Sequence, residues 1–427
     1  MQSEAPGPVA PPRPRNQWWR PLPPGTSADA RRILAARGIR AFADGFVALL
    51  LPIYLLDRGF SGLAIGWIVT STLIGSAALT IWLGISVHRY ARRPLLIAAC
   101  VLMALTGLGF TLLNGFWPLL LIGFVGTLNP TSGDVSIFLP LEHAALAETA
   151  EPRERTALFA RYSLVGTLMG AVGSLAAGIP DYVTGWTKLS HTAVLELMFL
   201  LYGALGLVSL PFYRKLSSRI ETQHEAPVAP LRQSRKIVYR LAALFSLDSF
   251  GGGFFVQSLL ALWLCQNFRL SVASTGSIFF WTNVCAAISY LLAVPISERI
   301  GLVNTMVFTH LPSNLFLILV PFAPNLTTAI GLLLARSALS QMDVPTRTSY
   351  VMAVVSPGER PAAASMTSVP RSLAAALSPL LASYLFSLSS FGWPLVIGGV
   401  LKASYDVLLL LNFRKIRPPE EVATVRT

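Results

Sequence analysis

Within a chain that is 53% hydrophobic and only 12% charged, the ionisable residues stand out by where they fall. The stretch RSALSQMDVPTRTSY, residues 336–350, carries Arg336, Asp343 and Arg347 inside a segment otherwise apolar enough for a bilayer. Asp134 takes the corresponding place in GTLNPTSGDVSIFLP, residues 126–140. A charge at a bilayer centre costs roughly 2.5–3.5 kcal/mol on insertion scales, so it persists where it pairs, meets water or does work. Carboxylates and guanidinium groups in that setting suit proton exchange or the binding of a charged solute.

Six acids fall in apolar segments: Asp44, Asp134, Glu196, Asp248, Asp343 and Asp406. Five cations do the same: Arg161, Arg336, Arg347, Arg371 and Lys402. The near balance predicts pairing. Lys402 and Asp406, four apart, are expected to neutralise each other locally, as Asp343 and Arg347 can. Depth along the chain also allows Asp134 with Arg161, and Asp343 with Arg371. The expectation is an acid–acid–arginine cluster in each half, built from Asp44 or Asp248 with these residues and facing a central cavity. The competing reading is a set of static ion pairs that fix helix packing. Tyr54, Asn129, Tyr162, Gln257, Trp281, Asn283, Asn314 and Gln341 are candidate cavity-lining residues. Asn129-Pro130 and Gly251-Gly252-Gly253 interrupt two apolar runs, Pro345 is expected to kink a third, and interrupted helices point to binding sites.

The elements that must position these residues are membrane-crossing helices. A mean hydropathy of +0.60 and 12% charge are far from a soluble protein, which has about 25% charged residues. A crossing needs about 20 apolar residues. Apolar runs and polar breaks predict twelve: 37–56, 62–83, 94–113, 117–140, 156–179, 192–213, 238–264, 272–296, 303–322, 326–350, 362–388 and 391–413. The fold class is therefore an all-α membrane protein of twelve transmembrane helices in two six-helix bundles, 33–213 and 238–413. A polar, proline-containing linker, 214–237, joins them. Residues 1–32 read as a disordered, proline-rich basic tail, with Trp18 and Trp19 suited to lipid headgroups, and 414–427 as a second tail.

Of 33 Lys and Arg residues, 25 fall on one side of this map, counting Arg37, Arg40 and Arg240 in the first turns of the spans that flank the tail and linker; three (Arg58, Lys188 and Arg269) fall on the other, and the remaining five lie deeper within spans. The positive-inside rule then places both termini in the cytoplasm of a multi-pass cell-membrane protein. The net charge of +13 follows this lipid-facing distribution and does not call for nucleic acid. Cys100, Cys265 and Cys285 lie in apolar runs without metal-ligand spacing, so neither a metal nor a disulfide is expected.

The halves echo each other. Asp44 and Asp248 correspond at an offset of 204, Asp134 and Asp343 at 209, and the Glu154-Arg155 and Glu359-Arg360 pairs at 205, so the three landmarks recur in the same order with small gaps. The loop GISVHRYARRP carries Gly84, His88, Arg89, Arg92 and Arg93. Two related six-helix halves with this basic loop resemble the major facilitator superfamily, and the resemblance covers about residues 35–415. It implies alternating access around a central cavity, with the basic loop latching the halves on the cytoplasmic side. The sequence departs from the family pattern in three places. His88 stands where an aspartate is usual, Thr127 where span four usually carries an arginine, and the glycines Gly166, Gly170, Gly173 and Gly178 of span five lack the usual proline.

No H-E-x-x-H, G-x-S-x-G or Walker-type loop is present, which argues against an enzyme and against ATP hydrolysis. The resemblance implies a secondary transporter of a small solute, working as a monomer without a cofactor. Proton-coupled efflux of a drug, toxic compound or metabolite is the leading expectation. Uptake of a metabolite or organic anion on the same fold is the alternative. Cavity arginines would tolerate an anionic substrate.

Overall fold

The computed structural model describes residues 22, 25–86, 90–131, 136–149, 155–221, 231–356, 359–414 and 416, with the backbone alone at 84–86, 155, 156 and 361. Its helices in the first half are α1 (Ala28–Asp57), α2 (Gly62–Ser86), α3 (Arg92–Leu112), α4 (Phe116–Val125), α5 (Phe138–Thr149), α6 (Arg155–Ala176), α7 (Ile179–Trp186) and α8 (His191–Arg214). The second half has α9 (Arg235–Gly253), α10 (Gln257–Phe268), α11 (Val272–Ile300), α12 (Leu302–Leu319), α13 (Leu326–Ser340), α14 (Asp343–Val354), α15 (Arg360–Leu388) and α16 (Trp393–Phe413). Ten segments are long and apolar enough to cross a membrane, with α6–α7 and α9–α10 each counted as one. We call the end that carries the start of α1, the linker and the end of α16 the linker face, and the opposite end the distal face.

Two expected crossings are broken. The run 117–140 is divided: α4 stops at Val125, and α5 resumes at Phe138 and continues to Thr149. Residues 141–149, expected in a loop, are therefore helical. The run 326–350 breaks at Gln341 and Met342, just before the expected kink at Pro345. Span seven opens at 254–256, directly after its three glycines, where maximal backbone freedom weakens a helix. At the N-terminus α1 starts at Ala28, so residues 28–32 belong to the helix and not to the tail. Ser27 caps it by accepting the Ala30 N–H at 3.1 Å, which satisfies one of the free donors of the first turn.

Tight seams join the helices. Gly45 and Gly170 bring α1 against α6 so closely that a Cβ on Gly45 would stand 2.2 Å from the Gly170 carbonyl oxygen. Between the halves, α2 packs along α15 and α6 along α11. A Cβ on Gly276 would stand 2.2 Å from the Ser174 carbonyl oxygen, and one on Gly66 would stand 2.3 Å from the Ser383 side chain. Small residues permit such approach, and packing is the main attraction between helices in lipid. Hydrogen bonds cross the seam from mid-depth to the distal face. Ser258 N–H donates to the Pro130 carbonyl at 3.2 Å, Gln257 reaches Ser174 Oγ at 3.5 Å, and Ala273 N–H donates to Asp181 at 2.8 Å.

Candidate functional site

The linker-side part of each half encloses ionisable residues. In the first half Arg40 on α1 pairs with Glu142 on α5, and both are buried. Tyr162 and Tyr213 donate their hydroxyls to the same carboxylate at 2.5 and 2.6 Å. Arg40 Nε donates to Tyr213 at 3.1 Å, and the guanidinium lies 3.8 Å from the Phe138 ring centroid. A carboxylate with three donors and an arginine held in its plane and over a ring is a saturated arrangement. Asp44, one turn along α1, is buried within electrostatic reach of Arg37 and Arg40 and forms no ion pair among the described residues. Arg37 lies over the Tyr162 ring at 5.1 Å, and Arg161 is partly buried on α6.

The second half places a different set at similar depth. Arg347 on α14 pairs with Asp343 one turn before it and with Asp248 on α9 at 3.0 Å. Lys402 on α16 donates to the other oxygen of Asp248 at 2.5 Å. His310 on α12 sets Nδ1 2.8 Å from Asp406 and Nε2 3.8 Å from Asp248. Asn314, one turn on, donates to the second Asp406 oxygen at 2.8 Å. Asp248, Asp343 and Asp406 thus share one buried network with Arg347, Lys402 and His310. Burial makes that pairing matter, since an uncompensated charge is costly in a low dielectric.

The expected Lys402–Asp406 pair does not form directly: each is held by a partner on another helix. Asp343 bonds to Arg347. Arg347 and Arg371 line a cavity of about 320 Å³ with Phe245, Thr348, Met352, Ser365 and Ser368. Arg336 lies on α13 at mid-depth, 4.7 Å from the Phe255 ring centroid, with no acidic partner among the described residues. Asp134, His88 and Arg89 lie outside the described residues. Gly84 ends near the linker face on α2. Arg92 and Arg93 do not reach the other half through the contacts described: their backbone N–H groups bind Glu221 at 2.6 and 2.9 Å, and the Arg92 guanidinium donates to the Ile220 carbonyl. Glu221 thereby caps α3, where a negative charge meets the positive helix end.

Tyr54 turns into its own bundle and donates to the Phe110 carbonyl at 2.6 Å. Asn129 accepts from Thr131 at the α4 break. Gln257 sits at the start of α10 on the seam, Asn283 on α11, and the Gln341 N–H donates to Ser289 Oγ at the α13–α14 break. Trp281 is 57% exposed and faces away from the interior. Glu142, Tyr213 and His310 are the residues that sequence reasoning passed over. Glu142 had a signal: Phe138, Leu141, Ala145 and Leu146 keep helical spacing past the expected end of span four, and all four are buried.

Helices broken at matching places in two halves, with ion clusters beside them, are the architecture of transporters. The family model of the major facilitator superfamily matches residues 33–264 and 241–426. The chain belongs to the major facilitator superfamily. It is a transporter of small solutes and not an enzyme. The chain is similar to the uncharacterized membrane protein YJR124C of Saccharomyces cerevisiae, at 24% identity over 422 residues, covering 91% of this chain and 94% of that one. Among solved structures it resembles a bacterial homologue of the human lysosomal transporter Spinster in an inward-facing, unoccupied conformation. The TM-score is 0.69 at 14% identity, with 92% of this chain and 98% of that one covered. It also resembles the nucleoside transporter NupG, with a TM-score of 0.66 at 13% identity and coverage of 91% and 98%. At these identities the likeness to solved structures is one of fold.

Proposed function

We propose that this major facilitator superfamily member is a proton-coupled exporter of a small solute, acting as a monomer in the cell membrane with its linker face in the cytoplasm. The orientation rests on the distribution of Lys and Arg. The observation that carries proton coupling is His310, set between Asp406 and Asp248 in a buried group that also holds Asp343, Arg347 and Lys402. Histidine can carry or release a proton at either ring nitrogen. A proton bound or released within this group alters the pull between α9, α12, α14 and α16. Those helices include the broken passes, which are the parts able to rearrange as the halves rock.

The close packing of the distal seam supports a resting conformation shut on that side, with the linker side as the route of entry for an exported solute. The test is transport by purified protein in liposomes with an imposed pH gradient and an internal pH dye. The expected result is solute movement against its gradient, linked to proton entry, in wild type but not in Asp343→Asn. Solute movement that ignores the pH gradient overturns proton coupling. Accumulation in the direction of the proton flow assigns uptake instead of efflux.

A further inference from the structure

At mid-depth, beside and between the helix breaks, lie buried hydrogen-bond donors without an acceptor among the described residues. The buried Nδ2 of Asn129, Nδ2 of Asn283, Nε of Arg336 and Oγ of Ser258 lack partners among the described residues. Asn129 is 1% exposed and Ser258 is fully buried. Leaving such groups unpaired is unfavourable, and native interiors rarely tolerate it without a reason. Asn129 lies four residues past the end of α4, and Ser258, Asn283 and Arg336 lie ten or eleven positions in from the distal ends of α10, α11 and α13. At 1.5 Å per residue that is about 15 Å, close to the middle of a 30 Å hydrocarbon layer.

They are also linked laterally. Arg336 lies over Phe255 at 4.7 Å, in the span-seven break. Three residues on, Ser258 N–H bonds to Pro130, the neighbour of Asn129 in the other half. Asn283 is on α11, which packs along α13. The contrast with the other charged sites is informative. Arg40 and Arg347 are each bound by carboxylates. Arg336 has none among the described residues, although its Ser313 neighbour already satisfies its backbone carbonyl.

We propose that these donors form the recognition site for a compact organic anion. Arg336 takes the carboxylate, sulfonate or phosphate group. Asn129, Ser258 and Asn283 donate to further acceptor atoms, and the Phe255 ring covers an apolar part. The inference rests on the chain being a transporter and names the chemical class it carries; it does not depend on proton coupling or direction. A guanidinium in a desolvated site presents paired donors in a fork that fits oxyanions. A cationic solute would meet repulsion at the same place.

The test uses probes of one shape and different charge: benzoate, benzenesulfonate and phenyl phosphate against benzamide and benzamidine. Thermal unfolding of the full-length protein in lipid nanodiscs is read at one pH with no gradient. We expect at least one anion to raise the wild-type midpoint with rising concentration, benzamide and benzamidine to have no effect, and Arg336→Gln to weaken the anion response roughly tenfold to a hundredfold. Ligand-free Arg336→Gln should melt at or above the wild-type midpoint, because an unpaired buried charge has been removed. Absence of any anion response, an equal response to benzamide, or an unchanged anion response in Arg336→Gln would overturn the proposal. A ligand-free variant that melts below wild type would assign Arg336 to packing, and so would also overturn it. A protein that binds anions but ignores a pH gradient would sink the coupling mechanism while leaving this site in place.

Discussion

His310 Nδ1 stands 2.8 Å from Asp406 Oδ1, and this contact ties α12 to α16 inside the second half. The same carboxylate takes a hydrogen bond from Asn314, so Asp406 stays anchored when the imidazole changes charge. His310→Gln keeps a hydrogen-bonding side chain and removes the titration. Such a protein should still exchange solute across liposomes without a gradient. It should lose gradient-driven accumulation. Exchange and accumulation assays run side by side decide the matter; full accumulation by the variant removes His310 from the mechanism.

Arg40 and Glu142 form the enclosed ion pair of the first half, with Tyr162 and Tyr213 completing the carboxylate's bonds. Glu142→Gln leaves Arg40 with an unbalanced buried charge. Breaking one partner of a buried pair costs about 3–5 kcal/mol, whereas replacing both by apolar residues costs much less. The thermal midpoint should fall markedly in Glu142→Gln and partly recover in the Arg40→Met, Glu142→Leu double variant. Unfolding monitored by intrinsic fluorescence checks both, and an unaffected single variant would argue that the pair contributes nothing to stability.

Asp181 on α7 accepts the Ala273 N–H at the first turn of α11 and so fastens one half to the other at the distal face. A carboxylate at a helix N-terminus contributes about 0.3–1 kcal/mol through charge and hydrogen bond together. Asp181→Ala should shift the resting population toward distal opening by a few-fold. Spin labels at Gly62 and Leu388, on α2 and α15 beside the seam, would report this as a growing long-distance component. An identical distance distribution would show that other contacts hold the seam alone.

Glu359 lies in the loop before α15, outside the membrane-crossing segments, and accepts the backbone N–H groups of Arg232, Gln233 and Ser234 at 2.6, 2.8 and 2.9 Å. These backbone bonds, with the Ser234 hydroxyl, hold its carboxyl down to about 2. A carboxyl depressed on folding stabilises the protein above its unfolded pKa of about 4.3. That contribution falls away as the pH drops through the folded value. Wild type should therefore lose stability relative to Glu359→Gln between pH 4.5 and 2, and the two should run parallel above pH 5. Melting curves across that range, with parallel behaviour throughout, would remove this linkage.

The sequence alone carried the membrane assignment, because twenty-residue apolar runs cannot be reconciled with a soluble chain. It carried the two-half plan as well, since Asp44 and Asp248 recur in step with their surroundings. Charge type also told that Asp248, Asp343 and Arg347 would be paired in the interior, as the cost of an unpaired buried charge leaves little alternative. Pairing was another matter. Lys402 and Asp406 are spaced for a local bond, yet Lys402 reaches Asp248 and Asp406 meets His310, because helices α9, α12 and α16 present closer partners than one helical turn does. Glu142 and Tyr213 are 71 residues apart, and nothing along the chain marks them as neighbours. Local sequence determines hydrophobicity, helix and break; which charge neutralises which depends on the rotation and depth of each helix, and only packing in three dimensions sets those.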